Sequence, residues 1–279
     1  RKEMQDAIVS LGRSRRWEEA LAVLPDMARA SVAPDLIAYS AAVSACEKGQ
    51  QWHLALGLLR EMQQRGCDPN TVTYGAALSA CSKCCRWDLS LELMREMRLN
   101  RCMPNVINYN GVMNACAKDY QWELALVVLD QMGQGSVEPN VITYSTAISA
   151  CEKSKQWRWA VQLMDQMRRT RVEPNVITYS AVISACEKCL EWQVALQALV
   201  ELKEEGLKPD AITYSSAISA CGSSDRWDLA LGLMDAMRED DLAPNNVAYK
   251  AAIGACQKGL KWEHALVLLG RMWLEGVHP

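Results

Sequence analysis

Residues 138–145 read EPNVITYS, and residues 173–180 read EPNVITYS again, 35 positions later. The same step runs through the rest of the chain. Proline recurs at Pro34, Pro69, Pro104, Pro139, Pro174, Pro209, Pro244 and Pro279. Tyr39, Tyr74, Tyr109, Tyr144, Tyr179, Tyr214 and Tyr249 keep the same interval. So do Trp17, Trp52, Trp87, Trp122, Trp157, Trp192, Trp227 and Trp262, with no insertion anywhere in the register. A fixed period of this size marks a solenoid, in which each unit buries its apolar face against its neighbours.

Within residues 36–70 the first half is LIAYSAAVSACEK. Tyr39, Ala42, Val43 and Cys46 fall at i, i+3, i+4 and i+7, one face of a helix. Trp52, Ala55, Leu56, Leu59 and Met62 repeat that spacing and predict a second amphipathic helix. Gly49–Gln51 is the turn between them; Gly66 suits a helix C-cap and Pro69 a stop. The chain therefore reads as an all-α, right-handed α-solenoid superhelix of 35-residue helix-turn-helix repeats. Full units are 36–70, 71–105, 106–140, 141–175, 176–210 and 211–245. Residues 246–279 form a unit one residue short, and residues 1–35 a degenerate one. The degenerate unit carries Met4 in place of tyrosine, and Pro25 falls inside its second helix, where proline costs about 3 kcal/mol. It is expected to be a weak cap or frayed.

Half of the 279 residues are apolar and 23% are charged, a composition that folds. The net charge of −3 supplies no bulk basic field, so a nucleic-acid site would have to be a local stripe. Ten Trp and no Phe point to one template copied many times. Of twelve Cys, seven keep the period: Cys46, Cys81, Cys116, Cys151, Cys186, Cys221 and Cys256. Flanked by small residues, they read as buried small hydrophobes. Cys67, Cys84, Cys85, Cys102 and Cys189 follow no common register. All twelve are expected to be reduced thiols in an intracellular compartment. No apolar run approaches the ~20 residues that span a bilayer. The chain begins at Arg1, which reads as a fragment whose targeting segment is not in view.

The buried stripe leaves one face of each first helix unexplained. Ile37, Ser40, Ser44 and Lys48 step by three, four and four, and the pattern returns as Ile142, Ser145, Ser149 and Lys153 and as Ile177, Ser180, Ser184 and Lys188. A helix facing only water has no reason to repeat an aliphatic residue there. Lysine recurs at Lys48, Lys83, Lys118, Lys153, Lys188 and Lys258, with Ser223 the single break. Such a column could neutralise phosphates at regular steps; favourable placement of a cation near a helix C-terminus is the equally weighted reading. Before each first helix stands Asp35, Asn70, Asn105, Asn140, Asn175, Asp210 or Asn245, residue types that cap helices well. Five residues further on, the side chain varies while the scaffold does not: Ser40, Gly75, Asn110, Ser145, Ser180, Ser215 and Lys250.

At these residues the chain resembles the pentatricopeptide repeat family: the 35-residue period, the Pro-Asn/Asp ending and the Val-Ile-Thr-Tyr-Ser opening all match, over nearly the whole chain. Equal unit lengths resemble the family's plain class. The resemblance implies single-stranded RNA bound one base per repeat. It implies base-reading pairs Ser40/Asn70, Gly75/Asn105, Asn110/Asn140, Ser145/Asn175, Ser180/Asp210 and Ser215/Asn245. It implies that Ile37, Val72, Ile107, Ile142, Ile177, Ile212 and Val247 sandwich the bases and that the lysine column contacts phosphates. By the family's code the serine–asparagine pairs prefer adenine, Ser180/Asp210 guanine and Asn110/Asn140 a pyrimidine, cytosine over uracil, while Gly75/Asn105 is permissive or weakly adenine-preferring. The implied core is 5′-A-N-C/U-A-G-A-3′. Gln5/Asp35 and Lys250 depart from the code. The resemblance also implies organellar RNA processing, stability or translation in mitochondrion or chloroplast, with other RNA-processing proteins as further partners.

Two other readings were weighed. A protein-interaction solenoid of the tetratricopeptide kind has 34-residue units and a Trp–Leu–Gly–Tyr signature that is absent here. An enzyme would need a catalytic constellation. The three histidines, His53, His264 and His278, neighbour no recurring Cys or carboxylate in catalytic or zinc spacing. Cys81-x-x-Cys84 and Cys186-x-x-Cys189 each use one cysteine of the packing column. We therefore expect no catalysis, no cofactor, no metal, no small-molecule substrate and no membrane partner. The tryptophan column could stack bases, but it shares the second helix's apolar stripe and is expected to pack in the core.

Overall fold

The computed structural model describes residues 2–277; Arg1, His278 and Pro279 lie outside the described residues, so the last proline of the column and the end of the 246–279 unit do too. Among the described residues the chain is sixteen α-helices and no strand. It forms two compact units, divided after Pro139.

The first unit holds α1 (Lys2–Arg13), α2 (Trp17–Arg29), α3 (Leu36–Lys48), α4 (Trp52–Gln64), α5 (Thr71–Lys83), α6 (Trp87–Leu99), α7 (Val106–Lys118) and α8 (Trp122–Gln134). The second holds α9 (Val141–Lys153), α10 (Trp157–Arg169), α11 (Val176–Lys188), α12 (Trp192–Glu204), α13 (Ala211–Ser223), α14 (Trp227–Glu239), α15 (Asn246–Lys258) and α16 (Trp262–Leu274). Odd-numbered helices are the first of each hairpin and even-numbered ones the second.

Local chemistry sets these boundaries. Proline forces the preceding residue out of the helical region, and the Asn or Asp after it is extended and caps. Asn175, at φ −119° and ψ 176°, accepts the backbone N–H of Thr178. Each hairpin turn ends its first helix in a Schellman motif. Gln51 N–H reaches back to Cys46 O (2.9 Å) and Gln50 N–H to Glu47 O (3.2 Å), with Gln50 left-handed at φ 56°. The exit from the second helix repeats this, with Gly66 at φ 73°.

Within each unit the layers follow from side-chain size. The first helices pack directly on one another, α1 on α3 on α5 on α7, and α9 on α11 on α13 on α15. Alanine and cysteine line those contacts, which lets the backbones come close. A Cβ on Gly222 of α13 would lie 2.9 Å from the carbonyl oxygen of Ala251 on α15. Within each unit a second helix packs on its own first helix, and α2, α4, α6, α10, α12 and α14 also pack on the next first helix. The second helices stand further apart, leaving a groove of about 640 Å³ that α2 and α4 line with Leu21, Leu24 and Leu58.

The tyrosine column is fully buried, each ring at most 2% exposed. Its hydroxyls are satisfied by neighbouring second helices, as burial requires. Arg168 on α10 donates to Tyr179 OH at 2.6 Å and to Glu201 on α12 at 2.8 Å, tying three helices together. The seven periodic cysteines are buried, and all twelve are free thiols. Burial pushes Cys46, Cys116 and Cys221 up to about 11 and Cys81, Cys151 and Cys186 up to about 12.

The degenerate repeat, expected to be a weak cap or frayed, keeps α2 unbroken past Pro25, with Ile8, Ala20 and Met27 buried with Tyr39 and Ala42 in one cluster. That packing offsets the missing backbone N–H. The tryptophans are only half-buried, at the seam between successive hairpin turns rather than in the deep core. Trp17 fills the space beside Gly49 of the next repeat, where a Cβ would meet its ring at 2.4 Å, and Trp227 does the same at Gly259. Arg86 sits 4.5 Å over the Trp52 ring, and Arg226 sits 4.6 Å over Trp192. Trp262, in the last hairpin, is 66% exposed.

Candidate nucleic-acid interface

At the start of α3, α9, α11 and α13 an exposed aliphatic residue is followed by a serine that lies beside the capping Asn or Asp of the next first helix or the threonine that bonds it. Ile37, Val72, Ile107, Ile142, Ile177, Ile212 and Val247 are all 58–76% exposed. A free-standing apolar column on helices whose other faces are buried gains nothing from folding. Its repetition therefore calls for something outside the chain to cover it.

The polar pairs assemble through a residue that sequence reasoning did not single out. Thr73, third in α5, is fully buried and donates its hydroxyl to Asn70 Oδ1 at 2.9 Å. Ser40 on α3 lies 2.7 Å from the same hydroxyl oxygen. The second unit repeats this twice. Ser145 meets Thr178 at 3.0 Å, and Thr178 donates to Asn175 at 2.9 Å. Ser180 meets Thr213, which donates to Asp210 at 2.7 Å, while the Ser180 hydroxyl also donates to Val176 O at 2.8 Å. Residues 33 apart in sequence thus share one hydrogen-bonded chain.

The capping carbonyl is doubly used. Asn175 Oδ1 takes the Thr178 N–H and the Thr178 hydroxyl, both at 2.9 Å. An amide oxygen has two lone pairs, so what the side chain still offers is its Nδ2 donors. Asp210 is held the same way through Oδ1, which leaves Oδ2, an acceptor. Because Thr178 gives its one proton to Asn175, the Ser145 proton points at Thr178, and Ser145 presents lone pairs.

The remaining pairs vary this design. Ala248 has no hydroxyl, so Ser215 bonds Asn245 Oδ1 directly at 3.0 Å and turns inward, 4% exposed, with a second bond to Ala211 O at 2.6 Å. Ala38 of α3 is the counterpart behind the degenerate repeat's pair, where Gln5 donates to both oxygens of Asp35 at 2.7 and 2.8 Å. Beside Gly75, the Asn108 amide lies 3.1 Å from where a Cβ would stand, and Asn108 forms a reciprocal capping box with Asn105. Asn110 lies on α7 of the first unit and Asn140 caps α9 of the second.

The lysine column is less free than its sequence spacing suggests. Lys83 pairs with Glu47 of the preceding repeat at 2.9 Å, and Lys188 with Glu152 at 2.9 Å. Ser79 and Ser184 donate to the same two carboxylates. Lys118 donates to Ser82 O and Lys258 to Ser223 O. Lys48 and Lys153 are exposed. Cys84 and Cys189 donate their thiols to backbone carbonyls. No cluster of three metal-ligating side chains exists among the described residues, and no helix there is long and apolar enough to cross a membrane. His53 and His264 pack against Trp52 and Trp227.

Fold and site define a tandem helical-hairpin protein. The family model of the pentatricopeptide repeat domain matches residues 87–119, 123–188 and 197–259. A second model of the family matches residues 34–83, and a third matches 107–136 and 177–207. The chain belongs to the pentatricopeptide repeat family. No curated protein matches its sequence. Among solved structures it is similar to the pentatricopeptide repeat protein PPR10 from maize, with 24% identity and a TM-score of 0.71. That match covers 98% of this chain and 39% of the maize protein, so the chain spans well under half of that relative. It is also similar to the repeat domain of protein-only RNase P 1 from Arabidopsis thaliana, solved in complex with tRNA. There identity is 14% and the TM-score 0.57, over 71% of this chain and 98% of that one. Nuclear proteinaceous RNase P 2 from the same plant gives 12% identity and a TM-score of 0.60, over 68% and 43%. These likenesses concern the fold.

Proposed function

We propose that this chain binds single-stranded RNA and reads it one base per repeat through the serine–asparagine and serine–aspartate pairs. The observation that carries the reading is the hydrogen-bond chain through Thr73, Thr178 and Thr213, which supports a defined set of presented atoms at Ser40/Asn70, Ser145/Asn175 and Ser180/Asp210. Ser145 and Asn175 together present an acceptor and a donor. The pairing edge of adenine carries an amino donor and a ring acceptor, the complement of that set. Ser180 and Asp210 present two acceptors, which suit the adjacent N–H donors of guanine. The exposed Ile and Val column supplies apolar faces between which bases can lie, at a spacing of one per repeat.

Read in chain order, the six pairs give 5′-A-N-C/U-A-G-A-3′, with the array's N-terminal repeats toward the 5′ end. Lys48 and Lys153 are the better placed phosphate contacts, since Lys83 and Lys188 already hold carboxylates. The family and the fold shared with a domain that binds tRNA support RNA as the polymer; the matching of donors and acceptors supports the register. An organellar role in RNA processing, stability or translation, in mitochondrion or chloroplast, is the corresponding physiological proposal, and further RNA-processing proteins are the partners it entails.

A gel-shift competition tests this. The core hexamer, embedded in a neutral flank, should compete at least tenfold better than its scrambled form, and affinity should fall steeply between low and moderate salt. Equal competition by the scrambled RNA would reject the code assignment.

A further inference from the structure

We propose that the third residue of each first helix sets how sharply the preceding repeat discriminates bases, acting as a positioning residue for that repeat's reading pair. The inference rests on the base-reading proposal above and deepens it. Thr178 is fully buried between Ser145 and Asn175, so its hydroxyl meets no ligand. It has two jobs. It accepts the Ser145 proton, which commits that serine to presenting lone pairs. It also occupies the second lone pair of Asn175 Oδ1, which commits that amide to presenting its Nδ2 donors. Each commitment removes an alternative that would suit a different base.

The repeats supply their own comparison. Where the third residue is Thr (Thr73, Thr178, Thr213), the two readers are held apart and linked through it. Where it is Ala248, the Ser215 hydroxyl is shared between Ala211 O at 2.6 Å and Asn245 Oδ1 at 3.0 Å, and the side chain is drawn into the interior. Asn245 Oδ1 is then occupied by its own partner reader, and Ser215 offers little surface to a base. The Ser145/Asn175 and Ser180/Asp210 repeats are therefore the sharp readers of the second unit, and Ser215/Asn245 is the tolerant one.

The test measures dissociation constants of the full chain for four RNAs that differ only at the base facing Ser145/Asn175, in the wild type, Thr178→Val and Thr178→Ser. A second series varies the base facing Ser180/Asp210. The wild type should prefer adenine at the first position. Thr178→Val keeps the side-chain shape but removes the hydroxyl, and should cut the adenine-over-guanine ratio there about fivefold. Thr178→Ser should restore it, and the guanine preference at the next position should not change. Thermal melting of each variant separates this from unfolding, which would weaken both positions together. A wild type with no preference at the first position would overturn the RNA-reading proposal itself. A wild type that prefers adenine, with Thr178→Val preferring it as strongly, would overturn this inference alone. Loss at both positions in Thr178→Val with an unchanged melt would also overturn it.

Discussion

Asn175 serves two purposes at once, and substitutions can separate them. Its Oδ1 caps α11 while its Nδ2 remains to meet a ligand. Asn175→Ala should cost about 1 kcal/mol of stability through loss of the cap, seen as a lower melting midpoint. Asn175→Asp keeps the cap, because a carboxylate oxygen accepts the same N–H. It should leave the melt unchanged and move the preferred base from adenine to guanine. A base preference unmoved in Asn175→Asp would assign this residue to capping alone. The capping residue was legible in the sequence because it recurs in register, and Ser145 because its position varies between repeats while the scaffold around it does not. Thr178 was not. It looked like a β-branched residue of the helix's first turn, and its partner Ser145 lies 33 residues away. Only packing brings them together. Likewise Lys83 read as a free cation until folding placed Glu47 of the preceding repeat beside it.

Helix boundaries were the most legible feature of the elements, since Pro, Asx cap and Schellman turn are local in sequence. Less visible was that most turns put a side chain where glycine belongs. Leu190 sits at φ 64° and is 59% exposed, so it carries left-handed strain of about 1–2 kcal/mol with little packing in return. Leu190→Gly should stabilise the second unit by about 0.5–1 kcal/mol, after the entropic cost of glycine, measured by denaturant midpoint at constant slope. Destabilisation would mean that the leucine packs more than its exposure indicates. The tryptophan column was assigned to the core from its periodicity, which reports the face of a helix and not the depth. Depth depends on the next repeat's turn, which covers half of each ring. Trp157→Ala should accordingly cost about 2 kcal/mol, below the usual value for a fully buried ring. RNA affinity well below the melt should be preserved.

At the scale of the whole molecule, stacking gives each unit a core of small side chains in which seven thiols are dry. Unfolded, those thiols ionise near their ordinary value of 9.0; folded, six of them are pushed to about 11 or 12. The folded state therefore holds their protons more tightly. Its stability is intact below pH 9 and should fall progressively as pH rises from 9 toward 12, as the unfolded state releases protons that the native state keeps. Equilibrium unfolding across that range checks the slope. Labelling at pH 8 checks the burial: the exposed Cys85 should react at once, and the periodic column only after denaturant is added.

The central claim is that the pairs, and not the scaffold, choose the RNA. Selection from a random single-stranded pool with the wild type and with Asp210→Asn tests it most directly. Asp210 and Asn fill the same cap, so the fold is unchanged and only the presented atom differs, an acceptor becoming a donor. The wild type should enrich A-G at the positions facing Ser145/Asn175 and Ser180/Asp210, and Asp210→Asn should enrich A-A in the same frame. Identical motifs from both proteins, or no motif from either, would contradict the account.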